Sequence, residues 1–323
     1  MRNLSFGIAL LALLAVAAVG TIWLARSGDV NVDAQPILAG YLPHHGYLPL
    51  FVAEDKGLFE KNGLDVELRR FDSSNSLITA FINGDIEVAP VATSAALVTE
   101  ARDPGIFRIF AFSSETPDGH LTSLVARPDS GIEAITDLKG RKVGIWPGPA
   151  AKALFLEFFE KAALKESDIH LQPLAPPTQI AALTSGTVDA LATYEPIATL
   201  ATRGGGAKFL EQGPIERHVL SPTQGGAWLI RTAFVESSPE SAAGFVRSIF
   251  EAIDVIRDDP RSAYVDTIRF TGNDEETARS LTIIPYSKAG EIDFEAVDRY
   301  EEIMIKHGVL SMPVELKSRT WAP

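Results

Sequence analysis

The chain of 323 residues carries a formal net charge of −13, has 46% hydrophobic residues and contains no cysteine. This length suits one or two domains with real hydrophobic cores. The acidic balance argues against a nucleic-acid partner, because phosphate binding needs clusters of Lys and Arg that are lacking here. Without cysteine, disulfides, thiol catalysis and cysteine-held iron–sulfur clusters are excluded.

The first 34 residues have the pattern of a targeting segment. Arg2 precedes an apolar run from Leu4 to Leu24, which is typical of an export signal. Val32-Asp33-Ala34 offers a small-residue cleavage site before Gln35, although the apolar run approaches the ~20 residues that span a bilayer. A cleaved signal peptide and an uncleaved membrane anchor are therefore both open. Either one places the body, from Gln35 onward, outside the cytoplasm.

The body alternates short apolar runs with helical patterns, which predicts α/β architecture. The predicted strands cover residues 36–41, 64–71, 86–91, 107–112, 121–127, 141–146, 170–174, 188–193 and 227–230. Predicted helices cover residues 47–60, 75–81, 150–164, 176–186, 239–257 and 294–306, with further helices beginning at 93–94 and after a cap at Asn273. Residues 81–89 and 183–191 both show a helix end, a glycine turn and a strand. A repeated local turn and two equivalent lobes both explain this similarity.

Seven stretches, taken together and in this order, resemble the periplasmic solute-binding family that serves sulfonate, taurine, nitrate, bicarbonate, riboflavin and thiamine-precursor importers. They are Gly40-Tyr41-Leu42-Pro43, Val52 to Phe59, Asn62 to Val66, Asn83 to Val88, Arg127 to Ile132, Asp137 to Gly144 and Glu195-Pro196. The resemblance extends from about Pro36 to at least Arg257 and is weaker beyond.

This resemblance implies a two-lobed type II periplasmic binding protein fold with two crossover strands, near 122–125 and 225–229. It predicts a first lobe made of residues 35–123 plus 226–323 and a second lobe made of 124–225, after the signal or anchor of residues 1–34. The ligand would lie between the lobes and be held when they close by a hinge motion.

The candidate binding residues follow predicted strands, because ligands in open α/β sheets lie beyond the carboxyl ends of the strands. Helix N-termini at these positions add free N–H groups. The candidates are His44, His45, Tyr47, Ser73, Asn75, Thr93, Ser94, Gly148, Ala150, Tyr194, Glu195 and Gln224. Each also has a purely structural interpretation: loop packing for the first three, helix capping for Ser73, Thr93 and Ser94, and a turn for Gly148.

No catalytic signature accompanies these residues. The sequence lacks a phosphate-binding glycine loop, a Gly-x-Ser-x-Gly elbow and a zinc-binding helix motif. His44 and His45 are adjacent but have no carboxylate or cysteine partners at ligand spacing, so we expect no metal and no cofactor. We expect a binding protein rather than an enzyme, with an ABC permease and ATPase as partners and a monomeric state. A thiamine-pyrimidine-synthase-like enzyme and an anchored sensor are the alternative classes.

The aromatic residues favour a heteroaromatic ligand. Tyr47, Trp146 and Tyr194 follow predicted strands, and stacking on a ring contributes about 0.5–1.5 kcal/mol beyond burial. Lys152 is the one cation in the candidate loops. We therefore expect a pyrimidine- or flavin-like molecule, with a small oxyanion such as an alkanesulfonate, nitrate or bicarbonate as the second possibility.

Overall fold

The computed structural model describes residues 35–323, so the predicted signal or anchor segment lies outside the described residues. The eleven strands found there are β1 Ile37–Tyr41, β2 Val66–Arg70, β3 Val88–Ala92, β4 Phe107–Glu115, β5 Thr122–Ala126, β6 Lys142–Ile145, β7 His170–Pro173, β8 Ala190–Tyr194, β9 Lys208–Gln212, β10 Thr223–Arg231 and β11 Tyr286–Lys288. β9 and β11 were not predicted from the sequence.

The helices of this part of the chain are α1 Leu48–Asp55, α2 Leu58–Lys61, α3 Ser74–Asn83, α4 Thr93–Arg102, α5 Pro149–Lys161, α6 Pro176–Thr184, α7 Ile197–Arg203, α8 Pro214–His218, α9 Thr232–Ser237, α10 Pro239–Asp258, α11 Pro260–Asp266, α12 Glu275–Ser280 and α13 Phe294–Lys306. Short 3-10 turns cover His45–Tyr47, Ile135–Leu138, Glu166–Asp168, Ile268–Phe270, Ala289–Glu291 and Lys317–Arg319. Within residues 35–323, none of the helices combines the length and the apolar character required to cross a bilayer.

The strands form two sheets. The six-stranded sheet has the order β11-β4-β10-β3-β1-β2, and the five-stranded sheet has the order β7-β6-β8-β5-β9. β1 runs parallel to β2 and β3, while β10 runs antiparallel to β3 and β4. In the other sheet β6 runs parallel to β7 and β8, and β5 runs antiparallel to β8 and β9. The predicted mixed α/β class is confirmed.

The chain passes from one sheet to the other twice. The first passage, residues 116–121, joins β4 to β5, and the second, residues 213–222, joins β9 to β10. β10 lies between β3 and β4, so the chain returns to the middle of the sheet that it left. Both passages lie next to the positions predicted for the crossover strands.

The five-stranded sheet is buried on both faces. Leu124 and Ala126 of β5 contribute to the large core that includes Phe51, Phe110 and Trp228. Val125 points to the opposite face, into a smaller core that the residues of α6 and α7 help to form. This alternation follows from the two-residue period of a strand.

Two local predictions were wrong in detail. The helix predicted over residues 47–60 is divided into a 3-10 turn, α1 and α2, because Gly57 adopts a left-handed conformation with φ of 63°. The cap of α12 is Asp274, whose side chain accepts from the Thr277 N–H, rather than Asn273. Ser73 does cap α3, accepting from the Ser76 N–H at 3.2 Å.

Candidate functional site

The loop after β1 buries two aromatic side chains. His45 is 1% exposed and Tyr47 is 6% exposed. The Nδ1 and Nε2 atoms of His45 have no hydrogen-bond partner, and its ring lies 5.6 Å from the ring of Tyr264. His44 caps the turn by accepting from the Gly46 N–H at 3.1 Å, and its ring packs 4.8 Å from that of Tyr47.

Burial controls the protonation of this loop. It lowers the pKa of His45 to about 3, and the neighbouring rings of His44 and His120 add to the shift. Burial likewise lowers the pKa of His44 to about 4 and raises the pKa of Tyr47. At neutral pH both histidines are therefore uncharged, and each offers hydrogen bonds instead of a positive charge.

Tyr194, at the end of β8, lies in an aromatic corner. Its ring is 5.3 Å from that of Trp146 and 6.1 Å from that of Phe155. Burial raises its pKa well above the ordinary value, and the nearby Tyr300 adds to the shift. Tyr300, on α13, shares a hydrogen bond with Ser94 at the start of α4. This corner brings together side chains from elements of both sheets.

Glu195 is fixed by the protein itself. One carboxylate oxygen accepts from the Ser123 hydroxyl at 3.0 Å, and the other accepts from the Thr199 N–H at 3.0 Å, in the first turn of α7. Burial raises the pKa of this carboxyl. Because both oxygens already have a partner, Glu195 holds the start of α7 in place.

Gln224 and Thr93 join β10 to α4. The Thr93 hydroxyl donates to the backbone carbonyl of Gln224, and the Gln224 Oε1 atom accepts from the Ser114 hydroxyl at 2.9 Å. Gln224 is 1% exposed, and its Nε2 atom has no partner. A buried N–H₂ group without an acceptor costs about 1–3 kcal/mol, so an acceptor at this position would stabilise the protein.

Four of the predicted binding residues are not among the buried polar and aromatic side chains described above. Ser73 and Asn75 are exposed on the first turn of α3. Gly148 is exposed at the N-cap of α5 with φ of 121°, and Ala150 packs on the core from the first turn of that helix. The structure gives them no contact with the buried polar groups.

The sequence did not reveal a pair of buried carboxyls, Glu115 and Glu216. Glu115 ends β4 and is 4% exposed, and Glu216 on α8 is 1% exposed. Thr122 donates to the Glu216 Oε2 atom at 2.5 Å. The one available signal was that each residue ends or follows a strand at a passage between the sheets.

Burial disfavours the charged form of both carboxyls. It raises the pKa of Glu115 well above its ordinary value, and the charge of Glu216 raises it further. Burial also raises the pKa of Glu216, against the hydrogen bond from Thr122 that lowers it. A carboxylate removed from water loses its hydration, which favours the protonated form.

The buried charges of the described chain are all of one type. Across residues 35–323, no Lys, Arg or Asp side chain is buried, whereas six glutamates are: Glu100, Glu115, Glu157, Glu195, Glu216 and Glu301. Lys152, the cation of the predicted loops, is paired with Glu166 at 2.6 Å and is 44% exposed. The interior of residues 35–323 therefore offers carboxyl groups rather than cations.

One group has the spacing of metal ligands. Within the part of the chain that the structure describes, ligand atoms of Glu157, Glu160 and His307 lie within 4.8 Å of one another. Lys306 donates to Glu157 at 2.5 Å and to Glu160 at 2.6 Å. The ammonium group already balances the two carboxylates, so the cluster is an ion-pair network.

A family model described as NMT1/THI5 like matches residues 44–263. The chain belongs to the NMT1/THI5-like family. A binding protein of Brucella abortus is 24% identical over 297 residues, covering 88% of this chain and 90% of that protein. The taurine-binding periplasmic protein of Escherichia coli is 25% identical over 205 residues, covering 63% of this chain and 62% of that protein. The resemblance read from the sequence motifs is confirmed.

Solved structures share the fold of this NMT1/THI5-like chain. The periplasmic aliphatic sulphonate binding protein SsuA from Escherichia coli has a TM-score of 0.73 at 20% identity, covering 90% of this chain and 93% of SsuA. The desulfurization enzyme DSZB has a TM-score of 0.67 at 18% identity, covering 90% and 97%. The predicted type II binding-protein fold is confirmed. Because an enzyme shares the fold, the fold alone does not separate capture from catalysis.

Proposed function

We propose that this protein is the exported binding component of an ABC importer, which captures a small polar, ring-bearing molecule and releases it unchanged. The ligand lies between two lobes, residues 35–123 plus 226–323 and residues 124–225. The division of strands supports this assignment, because β1 to β4, β10 and β11 form one sheet and β5 to β9 form the other. The name of the periplasmic taurine-binding relative supports a place outside the cytoplasm.

The observation that carries the proposal is a set of buried polar atoms without partners. His45 and Gln224 are each 1% exposed, yet both ring nitrogens of His45 and the Nε2 atom of Gln224 lack a hydrogen bond. A polar ligand that hydrogen-bonds these atoms would remove the free-energy cost of leaving them unpaired. His45 follows β1, and Gln224 lies at the start of β10, which runs antiparallel to β3. Both therefore lie at the edge of the sheet where β1 and β3 end, and binding sites of α/β proteins lie at such edges.

Aromatic side chains supply the remaining surface. Tyr47 packs edge to face on His44, and Trp146 packs edge to face on Tyr194. Rings that meet edge to face leave faces free for stacking. Thr93 and Ser94 position the neighbouring Gln224 and Tyr300 through hydrogen bonds. These features favour a pyrimidine- or flavin-like molecule.

An oxyanion is the second candidate ligand, because relatives are named for taurine and aliphatic sulfonates. A buried oxyanion requires several donors and usually a cation. The absence of any buried Lys or Arg in residues 35–323 places this candidate second.

A thermal-shift panel of pyrimidines, flavins, alkanesulfonates and nitrate tests the proposal on the purified full chain, since a ligand that binds the folded state raises its melting temperature. We expect stabilisation by one ring-bearing compound, with a monomer and one bound molecule in calorimetry. Mass spectrometry must recover that compound unchanged. Conversion to another product would establish the enzyme class instead, and stabilisation by a sulfonate or nitrate alone would establish the oxyanion. If the protein binds the compound but does not interact with an importer, the anchored sensor is the remaining interpretation.

A further inference from the structure

The Gln224 side chain is held through one of its two amide atoms. Its Oε1 atom accepts from the Ser114 hydroxyl at 2.9 Å, whereas its Nε2 atom is buried and has no partner. Gln224 and Ser114 are paired across β10 and β4, so both side chains lie on the same face of the six-stranded sheet. The bond to Oε1 therefore decides which end of the amide remains available to a ligand.

A second serine determines the direction of that bond. The Ser114 Oγ atom lies 2.6 Å from the Ser287 Oγ atom on β11. A serine hydroxyl carries one hydrogen. Because Ser114 donates its hydrogen to Gln224, it accepts the hydrogen of Ser287. The bonds run in one direction, from Ser287 through Ser114 to the Gln224 Oε1 atom, and they leave both N–H groups of Nε2 unused.

β11 is fixed by contacts that do not involve these hydroxyls. The Tyr286 hydroxyl donates to the His45 carbonyl at 3.0 Å, and the Arg257 Nη2 atom donates to the Tyr286 carbonyl at 2.8 Å. The Lys288 ammonium lies 2.6 Å from the Asp254 carboxylate. This three-residue strand thus contacts the loop of His45 through one residue and reaches Gln224 through the next.

We propose that Ser287 is a positioning residue of the ligand site, which acts through Ser114 to keep the Nε2 group of Gln224 turned towards the ligand. This inference rests on the proposed solute-binding function and adds a chemical requirement to it. The ligand carries a hydrogen-bond acceptor, such as a ring carbonyl oxygen, where it meets Gln224. A ligand with a donor there would leave two buried N–H groups facing each other without an acceptor, which is unfavourable.

The orientation of the Gln224 amide can be measured without a ligand by NMR of the ¹⁵N-labelled full chain. Gln224→Met identifies the N–H₂ resonances of Gln224 by their loss. In the wild type we expect one set of resonances, without a strong nuclear Overhauser contact to the Ser114 side chain, because Oε1 faces Ser114. In Ser287→Ala the Ser114 hydroxyl accepts from Nε2 as readily as it donates to Oε1. A second set of resonances in contact with Ser114 should therefore appear.

Calorimetry with uracil, riboflavin and taurine as probes measures the effect on binding. We expect uracil or riboflavin to bind, since their rings carry carbonyl oxygens, and Ser287→Ala to weaken that binding about three- to tenfold through the loss of one oriented hydrogen bond. Ser287→Thr retains the hydroxyl and should restore both the affinity and the single set of resonances. The control is Ser280→Ala, which removes a hydroxyl that donates to the Thr277 carbonyl at 2.7 Å on α12.

The outcomes separate the positioning role from the proposed function. If a probe binds, and Ser287→Ala and Ser114→Ala change neither its affinity nor the Gln224 resonances, the positioning role is overturned and the binding function stands. An equal loss of affinity in Ser280→Ala also overturns the positioning role. Binding of taurine alone overturns the ring-bearing ligand but retains the acceptor requirement, because sulfonate oxygens are acceptors. Binding of none of the three probes overturns both proposals.

Discussion

The Lys306 ammonium lies 2.5 Å from the Glu157 carboxylate. This ion pair joins α13, which packs against the six-stranded sheet, to α5, which lies beside the five-stranded sheet. Arg203 on α7 makes a second junction, with Asp274 before α12 at 3.1 Å and with the Thr277 hydroxyl. Ion pairs thus fasten the two groups of elements at two separate places.

We expect Lys306→Ala to favour an open arrangement of the two sheets in the ligand-free protein. An exposed ion pair contributes up to about 1 kcal/mol, which is about fivefold in a closed-to-open ratio. Small-angle X-ray scattering would show a larger radius of gyration, and added salt would produce the same shift in the wild type. Lys61→Ala, which removes the exposed pair with Glu251 at 2.6 Å, is the control. Equal expansion in both variants would contradict the role of Lys306.

Glu195→Ala should destabilise the fold more than Glu195→Gln. The alanine variant leaves the Ser123 hydroxyl and the Thr199 N–H without an acceptor, and each buried orphan costs about 1–3 kcal/mol. The glutamine variant retains one acceptor oxygen. Urea unfolding measures both free energies. If Glu195→Gln instead leaves stability unchanged and abolishes ligand binding, Glu195 contacts the ligand directly.

His45 makes the protein sensitive to acid. Its pKa is about 3 when folded and 6.5 ordinarily, so the unfolded chain takes up a proton that the folded chain refuses. The stabilisation is complete above pH 6.5 and is lost by about 1.4 kcal/mol per pH unit as pH falls towards 3. We expect His45→Phe to flatten this slope in denaturant unfolding. His170→Phe, at an exposed position, should keep the wild-type slope; a parallel slope in both variants would contradict the prediction.

Gly225→Ala should disturb the carboxyl pair from the backbone side. Gly225 lies in the bulge of β10, and a Cβ at this position would overlap the Glu115 carboxylate. We expect a loss of about 1–3 kcal/mol in the free energy of unfolding, as for other overpacked sites. In the double variant Glu115→Ala/Gly225→Ala, the loss in the free energy of unfolding should be smaller than the sum of the losses in the two single variants. Gly290→Ala, where a Cβ meets open space, provides the control.

The sequence alone determined the architecture well. The alternation in residues 64–71 predicted β2, and the apolar runs at 188–193 and 227–230 predicted β8 and the second half of β10. These patterns are local, because the periods of strands and helices are properties of neighbouring residues. β11 was missed because Tyr286–Lys288 is three residues long and pairs only through β4.

The candidate binding residues stay a prediction. The structure shows that His45, Tyr47, Thr93, Ser94, Glu195 and Gln224 are buried, whereas Ser73 and Asn75 are exposed. The rule that ligands lie beyond strand ends selects loops, but it does not select which side chains turn inward.

Only the tertiary structure could pair Glu115 with Glu216. The two carboxyls are far apart in the chain and belong to different passages between the sheets, so no local spacing connects them. Burial raises the pKa of both carboxyls because packing removes them from water. Local periodicity therefore determined the strands and helices, while the convergence of buried charges was decided by how those elements pack.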